Sequence, residues 1–193
     1  MAIKPILFNT EMVRAILDGR KTCTRRIIKA EKVDNVLNSP ARKSNPDIPD
    51  AQFIKCLVDM KYEPGDILYV RETWKKAPNG YYYYENWQRD DIADVAKWKP
   101  SIHMPKEAAR IWLRVTDVRV ERLQEMTGQD VLKEGLNSHV HPQASYFDCN
   151  QREMFEKLWN STIKKPDLDR YGWDASPWVW VIEFERCEKP EGV

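Results

Sequence analysis

Gly19-Arg20-Lys21-Thr22-Cys23-Thr24-Arg25-Arg26 is the stretch on which the fold turns. Upstream of it, Met12, Val13, Ile16 and Leu17 fall on one face of a helix that Thr10 can cap and Gly19 can stop. Downstream, Thr22 to Ile28 is rich in β-branched residues and reads as a strand. Its alternation puts Thr22, Thr24, Arg26 and Ile28 on one side and Cys23, Arg25 and Ile27 on the other. A helix therefore ends, a glycine turns the chain, and a strand opens on a lysine, two threonines and two arginines. Such a corner presents an amine and a hydroxyl together. Neighbouring cations disfavour the charged form of a lysine, and a neutral lysine can take the proton of a threonine hydroxyl that is otherwise a poor nucleophile. The same pattern also suits an ordinary basic strand edge, and the residues alone leave both readings open.

Working outward, Lys4 to Phe8 reads as an opening strand. Residues 29–60 turn polar, with Asn-Ser-Pro, Asn-Pro and Ile-Pro-Asp breaks, and read mainly as an insertion or long loop with one short helix near Phe53 to Val58. Glu63-Pro64-Gly65-Asp66 is a turn in which proline presets φ and glycine supplies φ > 0. The strand after it, Ile67 to Trp74, carries Leu68, Val70, Glu72 and Trp74 on one face. A carboxylate there needs a partner, either an arginine at the sheet rim or a substrate. Residues 75–100 hold Tyr81 to Tyr84, Trp87 and Trp98. They read as a second, aromatic-rich insertion, a hairpin with alternate tyrosines packed inward, although aromatics near basic residues also stack bases. Arg110 to Leu123 alternates as a long strand. Thr127-Gly128-Gln129-Asp130 has the capping-box form, so a short helix should run from there to Glu134 and stop at Gly135. A further helix covers roughly Gln151 to Ile163, with an earlier start left open, and has Met154, Phe155, Leu158 and Trp159 on its buried face; Trp178 to Glu185 closes the fold as a strand. The class expected is α+β, in one domain over residues 1–193.

Composition limits the function. With 193 residues, 42% of them hydrophobic, and eight Trp, eight Tyr and five Phe, the chain has material for a core. A domain of this size buries roughly 70% of its unfolded surface. Its 31 basic and 30 acidic residues nearly cancel, unlike a general nucleic-acid coat protein, so any basic patch must be local. Arg20, Lys21, Arg25 and Arg26 supply one. Cys23, Cys56, Cys149 and Cys187 show no C-x-x-C spacing, and Met1-Ala2-Ile3-Lys4-Pro5 leads straight into folded-looking sequence. Reduced thiols and a cytoplasmic location are expected. No run approaches the roughly 20 apolar residues of a membrane span. His139-Val140-His141 is a poor metal site without help from elsewhere, and neither metal nor cofactor is expected. Glycine-rich phosphate loops and G-x-S-x-G are absent from the sequence.

The Gly19–Arg26 segment matches the ASCH-family pattern G-x-K-x-x-[TE]-x-R at Gly19, Lys21, Thr24 and Arg26. The Pro-Gly-Asp turn at 64–66 before an apolar strand, and the closing Val-Ile-Glu-Phe at 181–184, are similar to that family as well. The chain resembles in particular the phage- and prophage-associated ASCH proteins, through Val-Arg-Glu-Thr-Trp (70–74), Pro-Ser-Ile-His-Met-Pro (100–105) and Trp-Val-Trp-Val-Ile-Glu-Phe (178–184). This resemblance covers most of the chain outside residues 29–60 and 137–150. It implies a PUA-like fold, a small curved β-barrel with flanking helices, and work on RNA or a modified nucleoside.

One branch of small bacterial ASCH proteins hydrolyses N4-acetylcytidine with a lysine, a threonine and a glutamate. Carried onto this sequence, these are Lys21, Thr24 and Glu134, the last placed by matching the threonine that opens its short helix to Thr127. The resemblance implies that Thr24 attacks the amide carbonyl, Lys21 accepts its proton, and Glu134 protonates the departing amine or orients water. Arg26, Glu72 and Trp74 are the candidate substrate-binding residues. This chain is much longer than that branch, through its two insertions. The readings to separate are an amidohydrolase acting on an N4-acylated cytidine, a binding module for RNA or a modified nucleotide without catalysis, and a metal-assisted ribonuclease. The acyl group, the choice of free nucleoside or polymer, and the oligomeric state do not follow from the sequence.

Overall fold

The computed structural model describes residues 1–87, 97–136 and 146–192. Five strands form the main sheet: β1 (Ile3–Leu7), β2 (Cys23–Ile27), β3 (Ile67–Arg71), β6 (Trp112–Arg122) and β7 (Trp178–Cys187), in the order β1-β3-β6-β7-β2. The β1–β3 pair is parallel and the other pairs are antiparallel. β4 (Trp74–Ala77) and β5 (Gly80–Tyr83) make a separate hairpin. The α+β class is the one expected. Main-chain pairing among the described residues leaves β1 and β2 as edges, so the sheet is open and not a closed barrel. Side chains cross the gap. Arg26 Nη2 of β2 donates to the Leu7 carbonyl at 2.9 Å, and the Tyr62 hydroxyl donates to the Pro5 carbonyl at 2.8 Å.

Strand alternation sorts the core onto both faces of the sheet. From β7, Trp180, Ile182 and Phe184 enter one cluster with Ile6, Val13, Leu68, Val70 and Leu113. Val179 and Val181 enter another with Leu123, Val131, Phe155 and Trp159. A strand buried on both sides reads as a continuous apolar run, as Trp178 to Ile182 does. Helix α1 (Thr10–Leu17) covers the first face; its cap is Asn9, whose Oδ1 accepts from the Met12 amide at 2.9 Å, and not the expected Thr10. On the second face lie α5 (Gly128–Lys133) and α6 (Phe147–Thr162). The Thr127/Asp130 capping box opens α5 as expected. A Cβ on Gly128 would stand 2.9 Å from the Asp148 Cα, so glycine there lets α5 and α6 touch. α6 begins at Phe147, within the earlier start that the sequence leaves open, and Phe147 is itself buried.

Two further sequence expectations change. Residues 29–60 are not mainly loop but fold as α2 (Ala30–Leu37), α3 (Pro40–Ser44) and α4 (Asp50–Leu57). Val33, Val36 and Leu37 have helical spacing, Ser39 caps α3 with Pro40 behind it, and Ile54 is fully buried in the first core cluster. Such short amphipathic turns are easily masked by the proline breaks between them. The strand expected from Ile67 to Trp74 ends at Arg71. The Glu72 amide turns to the Met104 sulfur at 3.2 Å, and Trp74 starts the hairpin, packing with Met104, Ala108 and Trp112. In that hairpin the Tyr81 ring lies 5.7 Å from Trp74 and the Tyr83 hydroxyl donates to the Ala108 carbonyl at 2.7 Å. A last short helix, α7 (Leu168–Tyr171), precedes β7. Among the described residues no helix is long and apolar enough to cross a membrane.

Candidate functional site

The corner around Gly19 is tied in place by main-chain bonds. Gly19 has φ +75°, and the amides of Arg20 and Lys21 both donate to the Ala15 carbonyl, at 2.9 and 3.0 Å. The chain then meets the end of α5. Lys21 and Glu134 form an isolated antiparallel bridge, and the Thr22 amide donates to the Lys133 carbonyl at 2.8 Å. Gly135 lets Glu134 approach so closely. Its φ is +91°, and a Cβ there would fall 2.7 Å from the Ala15 Cβ and 2.8 Å from the Lys21 Cβ. The Arg20 guanidinium, paired with Asp18, also donates to the Gly135 carbonyl.

This packing buries three charges together. Lys21 Nζ lies 2.6 Å from Glu134 Oε2 and 2.9 Å from the Glu134 carbonyl. Arg25 Nη1 reaches Glu134 Oε1 at 3.2 Å, while its Nη2 reaches Glu121 Oε2 at 3.4 Å. Side-chain exposure is 1% for Lys21, 6% for Glu134 and 0% for Arg25. Charges this buried persist only when paired and hydrogen-bonded. Burial opposes the charge on Arg25, but the Glu134 carboxylate, with Glu121 and Asp130, outweighs it and raises the guanidinium above its ordinary value. Burial and then the Glu134 charge push the neighbouring Cys23 thiol up to about 12, so this cysteine stays protonated and inert.

A cavity of about 180 Å³ opens beside this network at the edge of β2. Lys21, Thr24, Arg26 and Glu134 line it together, with Phe8 and Trp159 among its apolar walls. Thr24 is 5% exposed, and its hydroxyl has no hydrogen-bond partner among the described residues. Arg26 is the one member of the expected basic patch that pairs with no carboxylate among the described residues; its guanidinium stands 5.4 Å from the Phe8 ring centre.

Glu72 and Trp74 are not in this cavity. Glu72 is 2% exposed and held by Arg110 through two 2.9 Å bonds, Nε to Oε1 and Nη2 to Oε2. Arg110 in turn bonds Glu85 and Asn86 and stacks over Tyr83 at 4.2 Å. The strand break after Arg71 removes both residues from the face they were expected to share with Leu68 and Val70. Sequence reading overlooked Arg25 as a partner of Glu134, because alternation puts it on the side away from Thr24. The cavity wraps around the strand edge and receives both sides. Asn9 lines it as well. Among the described residues no three His, Cys, Asp or Glu side chains are grouped to hold a metal ion, and His139 and His141 lie outside the described residues.

No family model and no curated protein matches the chain. Similar solved structures include an ASCH domain from Lactobacillus crispatus JV V101, at 9% identity and TM-score 0.39 over 96% of this chain and 79% of that one. Protein EF3133 from Enterococcus faecalis V583, of family DUF984, is 10% identical with TM-score 0.44 over 97% and 76%. A hypothetical protein, PH0355, is 15% identical with TM-score 0.38 over 97% and 100%.

Proposed function

We propose that this protein is an ASCH-type amidohydrolase that removes the acyl group from an N4-acylated cytidine or a related modified nucleoside. The observation that carries the reading is the buried Lys21–Glu134 pair beside an unpartnered Thr24 hydroxyl in one small cavity. At about 180 Å³ the cavity is below the roughly 300–1,000 Å³ of drug-sized sites, which suits a single base-sized group. Phe8 and Trp159 give it apolar walls.

The chemistry follows from the proton positions. Lys21 passes a proton along its 2.6 Å hydrogen bond to Glu134. The amine then takes the Thr24 proton as the hydroxyl oxygen adds to the acyl carbonyl. Glu134 returns its proton to the departing N4 amine as the carbon–nitrogen bond breaks. Water then attacks the acyl-threonine, its proton goes to the threonine oxygen, and the free acid leaves. Arg25 stays charged and holds the second oxygen of Glu134 throughout. Arg26 is the group for the base carbonyl or the ribose.

A binding module without catalysis is the second reading. It is favoured by one observation: both side-chain hydrogen bonds of Lys21 go to Glu134 and neither to Thr24. Incubation of the purified protein with N4-acetylcytidine, with chromatography for cytidine, separates the two. The hydrolase reading expects turnover that Thr24→Ala abolishes and Thr24→Ser partly keeps, with Lys21→Arg nearly as damaging as Lys21→Ala, since a guanidinium cannot serve as the base. Wild-type turnover by Thr24→Ala or Lys21→Arg defeats this mechanism. Binding of the nucleoside with no release of acid leaves the binding module.

A further inference from the structure

A second cavity, of about 300 Å³, is lined by the end of β2 from Arg26 onward and by residues 58–62. Arg26 lines both cavities. The second is built partly from the segment 29–62, and its rim carries Lys29, Lys32 and Lys61 with Tyr62 and Trp180. Asp59 is the one acid on it. Among the described residues none of Arg26, Lys29, Lys32 and Lys61 is paired with a carboxylate, and all four are exposed. Lys61 Nζ contacts only the Pro5 carbonyl, at 3.2 Å, and the Tyr62 ring. Lys29 stands at the start of α2, where the Ala30 amide donates to the Tyr171 hydroxyl at 3.3 Å. In a chain with net charge +1, four unneutralised cations around one cavity are a local field for an anion.

We infer that this cavity binds a phosphate group attached to the nucleoside held in the Lys21 cavity, so that the ligand is a nucleotide, alone or within a single strand, and not the bare nucleoside. The inference rests on the functional reading above for the base, and adds the phosphate. Arg26, which lines both cavities, makes them neighbours, as base and phosphate are neighbours in a nucleotide.

The test is calorimetric titration of the full chain with cytidine, cytidine monophosphate and a short oligocytidylate RNA across a series of salt concentrations. The wild type is compared with Lys29→Gln/Lys32→Gln and with Lys55→Gln, an exposed charge elsewhere. The expected result is binding in which phosphate adds at least tenfold in affinity over cytidine. A gain complete in the monophosphate identifies one phosphate as the ligand, and a gain seen only with the oligomer identifies a strand. The double variant should lose that gain and flatten the salt dependence of oligomer binding by about 1.4 log units per log unit, as two single-strand phosphate contacts require, while Lys55→Gln behaves as wild type. Equal affinity for cytidine and its phosphorylated forms, or an unchanged salt slope in the double variant, overturns the inference. Turnover of N4-acetylcytidine without any phosphate gain removes this site and leaves the hydrolase; a phosphate gain without turnover removes the hydrolase and leaves this site.

Discussion

Gly135→Ala is the substitution that most directly probes how the Lys21–Glu134 contact is built. Two penalties apply at Gly135. Its φ of +91° is one that a side chain rarely adopts, and the left-handed region costs an L-residue about 1–2 kcal/mol. The added methyl would also meet the Ala15 Cβ at 2.7 Å and the Lys21 Cβ at 2.8 Å. Both atoms are fixed directly to backbone and cannot swing aside, and overpacking of this kind costs about 1–3 kcal/mol. The expected loss is therefore about 2–5 kcal/mol, a large share of the 5–15 kcal/mol typical of a domain. Gly19→Ala is the matched control. It has the same sign of φ, +75°, and no atom within 4 Å of the new methyl, so only the conformational penalty applies. Denaturant unfolding of both variants, with the slope m checked for constancy, gives the difference. If Gly135→Ala is no more destabilising than Gly19→Ala, the three backbones do not meet as described, and Glu134 is not held against Lys21 by this approach.

Other outcomes follow from neighbouring parts of the fold. Glu134→Gln should cost about 3–5 kcal/mol, because Lys21 and Arg25 are left buried without their shared anion; a loss under about 1 kcal/mol in the same unfolding assay refutes the buried network. Glu72→Gln should destabilise by about 1.5–3 kcal/mol through its bond to Arg110; a loss of nucleoside affinity at unchanged stability would instead make Glu72 a substrate contact. Ile54→Ala should cost about 2–5 kcal/mol, since α4 belongs to the core, and a cost near zero would make the 29–60 segment dispensable. At Asp66, burial acts to raise the carboxyl, but the bonds from Lys4, the Ala2 amide and the Glu63 amide outweigh it and hold it below its ordinary value. Its contribution is thus full above an unfolded pKa of about 3.9 and is lost as pH falls through the lower folded value. Acid unfolding of Asp66→Asn should be less steep below about pH 4, and identical pH profiles for the two proteins would contradict this.

Much of the frame was legible because it rests on local rules. The Gly19 corner, the Pro-Gly-Asp turn, the Thr127 capping box, the alternating β6 and the apolar run of β7 all follow from short-range patterns, and each stands where its residues imply. The three helices of residues 30–57 were hidden because each is at most eight residues long and is stabilised by tertiary burial, as at Ile54, and not by a long amphipathic stripe. The strand break at Glu72 depends on Met104 and Arg110, both about 30–40 positions away along the chain, and no local pattern reports it.

Glu72 and Glu134 show where sequence reading stops. Both are buried carboxylates bonded to arginine. Their surroundings divide them. Arg110 engages both oxygens of Glu72 in one bidentate fork, a geometry that fixes orientation and leaves little acceptor capacity free. That carboxylate lies outside the Lys21 cavity. The oxygens of Glu134 are divided between two different cations, and one of these, Lys21, is a point charge with transferable protons. That pair opens on a cavity that also receives an unpartnered hydroxyl. A fork of Glu and Arg is a clamp, since arginine keeps its proton. A carboxylate shared between Arg and Lys can keep one charge fixed while a proton moves at the other, which is the asymmetry that acid–base chemistry requires.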